Sequence, residues 1–246
     1  MLSENKITRR DKRDYPQLPE PRTVRVRFRK VGDLQYISHL DLQRTISRVL
    51  VRAGIPMWYT QGFNPHAKVI FALPLSVGAE SECELIDLRI DHDMSCEEVR
   101  DRLNEQVTEE LRVLEVYLPP QGSVFQNMAW AQYTLKIQSD AVRAVRAEQV
   151  SDYLTTPPLF WTKKSKSGER EIDMTSMIRS PAVSKPEEDT LVIDARMSIG
   201  GADYLNPAYV IEALSRRFGL LGGDLQREQY SILRTEVFDA DGKPFR

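Results

Sequence analysis

Between Gln61 and Lys68 the chain reads Gln-Gly-Phe-Asn-Pro-His-Ala-Lys, which crowds side-chain amides, an imidazole, an ammonium and an aromatic ring into one short loop. Such a set suits phosphate oxygens and base edges: Lys68 supplies a cation, Gln61 and Asn64 supply donors and acceptors, and His66 supplies either. Tyr59 and Phe63 add rings on which bases could stack. Trp58 and Phe63 also suit the core of a short strand, and Tyr59 stands open between the two roles. Upstream, Arg44, Arg48 and Arg52 recur every four residues without an acidic residue at i+4, a helical row fitted to a phosphate backbone. Lys163, Lys164, Lys166 and Arg170 crowd a second basic tip. The residues expected to contact RNA or a partner are therefore Arg44, Arg48, Arg52, Tyr59, Gln61, Asn64, His66, Lys68, Lys163, Lys164 and Lys166.

The same residues admit a catalytic reading. His39 or His66 could act as general acid–base in RNA cleavage, with Lys68 stabilising charge on the phosphorane. His39 has a plainer role open to it, as a packed histidine at the first turn of a helix. His92, in Asp91-His92-Asp93, could ligate a hard metal, but a turn before a capped helix explains it more cheaply. The chain has no G-x-G-x-x-G, G-x-x-x-x-G-K-[ST], G-x-S-x-G or H-E-x-x-H sequence, which argues against dinucleotide, P-loop and zincin chemistry. Cys83 and Cys96 do not have zinc or iron–sulfur spacing. No metal and no cofactor is expected on this chain.

The elements that must hold these residues follow from periodicity. Val24, Val26 and Phe28 alternate with Arg25, Arg27 and Arg29, the pattern of a strand with one basic face. Ser38 is placed as an N-cap with Asp41 three residues on, and Ile37 and Leu42 as a hydrophobic staple. Leu42, Ile46, Val49, Leu50 and Ala53 share one helical face, and Gly54 ends the helix. Lys68–Leu73 and Cys83–Ile90 read as strands, a Ser95-capped helix runs to about Val107, and Leu111–Leu118 is a fourth strand. Ile55–Thr60 is an extra extended piece.

After the Pro119, Pro120 and Gly122 segment the same grammar returns. Tyr133–Ile137, Thr190–Met197 and Gln229–Phe238 read as strands, and Ala141–Tyr153 and Pro207–Phe218 as helices. Leu159–Trp161 and Glu169–Asp173 form a hairpin around the basic tip. The spacing predicts an α+β protein of two tandem ferredoxin-like (β-α-β-β-α-β) halves with a flexible basic N-terminal arm. The expected divisions are an arm over 1–21, a first domain over 22–118, a linker over 119–128 and a second domain over 129–246. Gly219, Gly222 and Gly223 either stop the last helix or let a bound chain come close.

Residues 1–68 carry 14 Lys/Arg against 6 Asp/Glu, whereas residues 80–118 carry 4 against 13. This split suggests a basic surface for a polyanion, or two segments that neutralise each other inside one domain. No apolar run approaches the roughly 20 residues that cross a bilayer, and the start lacks an apolar signal core, so a cytoplasmic protein without membrane partners is expected. Two unpatterned cysteines fit a reducing compartment.

Phe28, Gly32-Asp33-Leu34, Ser38-His39-Leu40-Asp41, Arg44, Arg52, Gly54-Ile55-Pro56, the Gln61–His66 run, Lys68, Phe71-Ala72 and Pro74–Gly78 together resemble the signature of a radical-SAM-linked family, DUF2344. Leu233-Arg234-Thr235-Glu236 is also similar. The resemblance spans roughly 22–238 and is most specific in its first third. It implies a standalone form, acting in trans with a radical-SAM protein in RNA modification or ribosome maturation and binding ribosomal or transfer RNA. It implies no catalytic residues. A fainter similarity of architecture links the tandem halves to RAMP-type RNA-binding proteins, among them metal-independent endoribonucleases. A third possibility is a protein adaptor whose acidic Glu80–Glu115 segment docks the partner enzyme.

Overall fold

The computed structural model describes residues 14–165, 168–201, 204–222 and 228–246 of the 246-residue chain. The fold is mixed α/β, with mostly antiparallel strands and four α-helices among the described residues. The described residues up to Val77 form one compact unit together with Glu84–Gln121; Gly78–Cys83 with Gly122–Arg246 form the other. The boundary falls inside the expected linker, but that linker already contains a 3-10 turn, Phe125–Asn127, and its last residue, Met128, opens a strand.

The first unit runs β1 (Gln17–Lys30), α1 (His39–Arg52), β2 (Val69–Phe71), β3 (Ala79–His92), α2 (Cys96–Asn104) and β4 (Val113–Tyr117), with the start of β3 belonging to the other unit. Its strands lie in the order β4-β1-β3-β2. The alternation of β1 is observed: Val24, Val26 and Phe28 are buried in one core with Ile86, Leu88 and Ile90 of β3 and with the apolar face of α1. Ser38 caps α1 by accepting the Asp41 N–H at 3.2 Å, and Gly54 follows with φ +64°, the left-handed turn that glycine adopts without strain. Ser95 caps α2 in the same way through the Glu98 N–H.

Two expectations for this unit need correction. The arm over 1–21 is shorter than its composition suggested, because residues 17–21 already run in β1. Tyr15 holds them down: its ring is buried, its hydroxyl bonds Glu98, and the Arg102 guanidinium donates to it at 2.6 Å. Residues 1–13, with the Thr-Arg-Arg-Asp-Lys-Arg cluster, lie outside the described residues. The basic face of β1 is also not an open one. Arg25 is fully buried and makes a two-pronged contact with Asp87 at 2.7 and 2.9 Å. Arg22 pairs with Asp93 at 3.0 Å and Arg29 with Glu109 at 2.9 Å. Three arginines of the basic segment are thus neutralised by the acidic one within one unit.

The second unit runs β5 (Met128–Gln138), α3 (Ala147–Thr155), β6 (Phe160–Ser165), β7 (Gly168–Asp173), β8 (Ile178–Glu187), β9 (Thr190–Ser198), α4 (Pro207–Phe218) and β10 (Gln229–Asp239). The order is β3-β10-β5-β9-β8, the start of β3 lying parallel to β10, while β6 and β7 form a separate hairpin. Tyr133, Leu135 and Ile137 are buried, as are Ala195, Ile193 and Leu191 opposite them on β9.

β8 was not expected, because Pro181 and Pro186 argue against a strand. It sits at the end of the order, where a missing N–H costs no ladder bond, and its register shifts between Arg179 and Ala182 and between Ser184 and Glu187 straddle the two prolines. The helix expected over Ala141–Tyr153 is divided into a 3-10 turn, Asp140–Ala144, and α3. Lys185 of β8 donates to the carbonyls of Val142 at 2.8 Å and Val145 at 2.9 Å, taking up the acceptors that a continuous helix would need.

Candidate functional site

The distinctive loop is closed by its own backbone. After Gly54, residues 55–60 run extended beside β3: the Trp58 N–H donates to the Arg89 carbonyl at 2.7 Å, and Met57 bridges Ile90. The chain then doubles back, with Tyr59 bridging Ala67 and the Thr60 N–H donating to the His66 carbonyl at 3.0 Å. Thr60 locks the return a second time, its hydroxyl accepting the His66 N–H at 3.2 Å. Gln61, Gly62, Phe63 and Asn64 form an exposed tip, where Phe63 is 108% exposed and therefore does not serve as core.

Between this segment and α1 lies a groove of about 430 Å³. Leu50, Ile55, Met57, Val69 and Phe71 give it an apolar lining, and Gln43, Ser47, Tyr59 and His66 are its polar members. The helical repeat explains the α1 side, since positions 43, 47, 50 and 51 fall within about 100° of one another. A mostly apolar cavity of this size with a few convergent polar groups is the usual form of a small-ligand site.

Gln43, Ser47 and His66 are each partly engaged. Gln43 donates an amide N–H to Nε2 of His39 at 2.9 Å, so that nitrogen of His39 acts as acceptor. The His39 ring stands edge-on to Phe71, with centroids 5.3 Å apart. Ser47 donates its hydroxyl to the Gln43 carbonyl at 2.8 Å, leaving its lone pairs open. Nδ1 of His66 lies 3.0 Å from Thr60 Oγ1 and 3.3 Å from the Asn64 carbonyl. A carbonyl can only accept, which favours a proton on Nδ1 and a free lone pair on Nε2.

The expected site residues divide into groups. Tyr59 and His66 line the groove, and Gln61 and Asn64 stand on the exposed tip beside it. Lys68 is exposed but not part of the lining: Ala67, Val69 and Phe71 face the groove, so alternation turns Lys68 and Ile70 to the other face of the segment. His39 stands behind Gln43 and Phe71 as a support, not as part of the lining.

The arginine row lies on α1 but around from the groove. Arg44 pairs with Asp41 at 3.0 Å, and Arg52 donates to the Gln106 carbonyl at 2.9 Å. Asp41, bonded by the Ser38 hydroxyl and then by Arg44, is held below the usual carboxylate range. Arg48 is exposed and has no partner among the described residues. In the second unit, Lys163 and Lys164 fall in β6 with their side chains outside the described residues, and Lys166 lies outside them altogether. Among the described residues no group of three His, Cys, Asp or Glu is placed to hold a metal ion, and His92 bonds its neighbour Asp91 at 2.7 Å.

Gln43, Ser47 and Phe71 were not anticipated as site residues. Positions 43, 47 and 51 share one helical face by their spacing, but nothing in the sequence says which strand segment faces it. Phe71, expected in the core, is only partly buried and lines the groove.

Among solved structures, the chain resembles a crystal structure of a Cbf5-Nop10-Gar1 complex over 94% of its own length and 53% of that chain, at 11% identity and a TM-score of 0.50. A structure of an H/ACA RNP bound to a substrate RNA containing 2'-deoxyuridine aligns over 89% of this chain and 48% of that one, at 9% identity and a TM-score of 0.46. The chain thus spans about half the length of each, and the first likeness is one of fold alone. No curated protein matches the sequence. The profile of a family described as "Uncharacterized protein conserved in bacteria (DUF2344)" matches residues 23–207, and the chain belongs to that family.

Proposed function

We propose that this protein is an RNA-binding accessory factor, not catalytic by itself, that presents RNA to a radical-SAM enzyme acting in trans during RNA modification or ribosome maturation. The observation that carries the RNA half is the exposed loop tip: Phe63 and Tyr59 stand clear of the core beside a ligand-sized groove, with His66 at its edge. Aromatic rings free of packing suit stacking on unpaired bases, and the unpartnered Arg48 suits a phosphate. The radical-SAM half rests on the sequence resemblance described above. Two ferredoxin-like halves fit the same reading, since β4-β1-β3-β2 and β10-β5-β9-β8 repeat one strand order around two β-α-β-β-α-β series, the β6–β7 hairpin being an insertion.

The geometry favours binding over cleavage, because His39 is committed to Gln43 and Phe71, and Lys68 points away from the groove. It favours RNA over a purely acidic docking surface, because Asp87, Asp93, Glu98 and Glu109 of the acidic segment are already paired with arginines.

The test is titration of single-stranded RNA at several salt concentrations. Tyr59→Ala and Phe63→Ala should each weaken binding by about 1–3 kcal/mol if they stack. Arg48→Ala should flatten the log K against log salt slope by about 0.7. Absence of RNA binding at low salt, or affinities untouched by the two aromatic changes, would overturn the reading.

A further inference from the structure

We infer that the groove between α1 and residues 55–71 takes a single unstacked adenine base. This rests on the RNA reading for the source of the base, although the chemistry of the groove stands by itself. Gln43, Ser47 and His66, with Tyr59 at the margin, are the polar groups of an otherwise apolar cavity, and the open valences of the first three are mostly acceptors. Ser47 donates its hydroxyl hydrogen to the main-chain carbonyl of Gln43, so its oxygen is left to accept, while the Gln43 side-chain oxygen is not used. His66 has Nδ1 directed to Thr60 and Asn64, so Nε2 is left as a lone pair. Gln43 spends one amide hydrogen on His39 and keeps its second hydrogen and its carbonyl oxygen.

A carboxamide with one N–H and one C=O open is the side chain that pairs with adenine, donating to N7 and accepting from the N6 amino group. Of the remaining acceptors, Ser47 Oγ and His66 Nε2, one can take the second amino hydrogen, and both oppose a carbonyl-bearing edge. Guanine offers O6 where adenine offers its amino group, and would set oxygen against these lone pairs. The apolar lining from Leu50, Met57 and Phe71 serves the faces of the base. The volume of about 430 Å³ leaves space for one nucleotide. Tyr59, 44% exposed at the margin, can cover a base or stack on its neighbour in the strand.

The experiment uses the full chain and calorimetric titration with four probes: adenosine, guanosine, and two short single-stranded RNAs that differ in one internal adenine. Adenosine should bind at least roughly tenfold more tightly than guanosine, and the adenine-bearing RNA should exceed its partner by a similar factor. Ser47→Phe, at an exposed position facing the cavity, should abolish adenosine binding and remove the preference between the RNAs while leaving the salt slope unchanged. If that variant melts early, Val51→Trp, at a position 72% exposed on the same margin, takes its place.

Equal binding of the two RNAs with no adenosine binding overturns the groove assignment and leaves the RNA reading intact. Adenosine binding blocked by Ser47→Phe, with no RNA bound, supports the groove and overturns the RNA reading, making the source a free adenine nucleotide. Adenosine binding that survives both filling variants overturns the assignment as well.

Discussion

Replacing Asp87 by alanine removes the carboxylate that meets a guanidinium which water does not reach. Arg25 is 0% exposed and meets both Asp87 oxygens, at 2.7 and 2.9 Å, in the middle of the first unit's sheet. Leaving such a charge buried costs about 3–5 kcal/mol, whereas replacing both members by apolar residues of similar size is often neutral. Asp87→Ala should therefore cost the first unit about 3–5 kcal/mol, and Arg25→Met with Asp87→Leu should recover most of it. At about 4–8 °C per kcal/mol for a unit of this size, the single change lowers its melting point by more than about 10 °C. The assay is urea unfolding followed by tryptophan fluorescence. The chain has 3 tryptophans, and Trp58 belongs to the first unit while Trp130 and Trp161 belong to the second. A background of Trp130→Phe and Trp161→Phe makes the signal report the first unit alone. A loss below about 1 kcal/mol, or a double variant no better than the single one, would show that the pair is not what holds Arg25 in the sheet.

Two further outcomes follow from burial. Tyr133 is pushed up to about 12, chiefly by burial, although the neighbouring Arg234 charge pulls the other way. Because the folded value is raised, its contribution to stability is complete below pH 10 and lost as pH climbs towards 12. An ultraviolet titration should leave at least one of the 9 tyrosines silent until the protein unfolds, and full tyrosinate formation in the native state would refute this. Phe28, 1% exposed, should cost about 3–5 kcal/mol when cut to alanine. Phe71 lines the groove and is only partly buried, so its loss should cost about 1–2 kcal/mol, scaled from about 1.5–3 for complete burial. Equal denaturation midpoints for the two variants would place Phe71 in the core after all.

Local signals carried most of what the sequence made legible. Ser38, Asp41 and Gly54 mark both ends of α1 because caps and left-handed stops are decided within a turn of the chain. The β1 alternation marked its core face for the same reason. What stayed hidden depends on pairing. Arg25 reads as a surface cation until Asp87, 62 residues away, is placed beside it. Lys68 reads as a loop neighbour of His66, yet only His66 of the two lines the groove. β8 was concealed by two prolines that only the end of a strand order tolerates. The groove needed two elements to be brought together, so Gln43 and Ser47 passed as ordinary helix surface.

The same pairings bear on function, because they decide which charges remain for a ligand. A sequence with a strongly basic beginning invites a polyanion, yet Arg22, Arg25 and Arg29 are taken by Asp93, Asp87 and Glu109 of the acidic segment that follows. Arg44 and Arg52 are taken by α1 itself and by the end of α2. With these five arginines engaged among the described residues, the proposed recognition would draw on the aromatic tip and on hydrogen bonds in the groove. The proposed accessory role would gain from that balance. Strong backbone affinity would hold any RNA, whereas a loop that stacked unpaired bases and a groove that read one base edge would select a particular single-stranded site and release it after the proposed partner enzyme had acted.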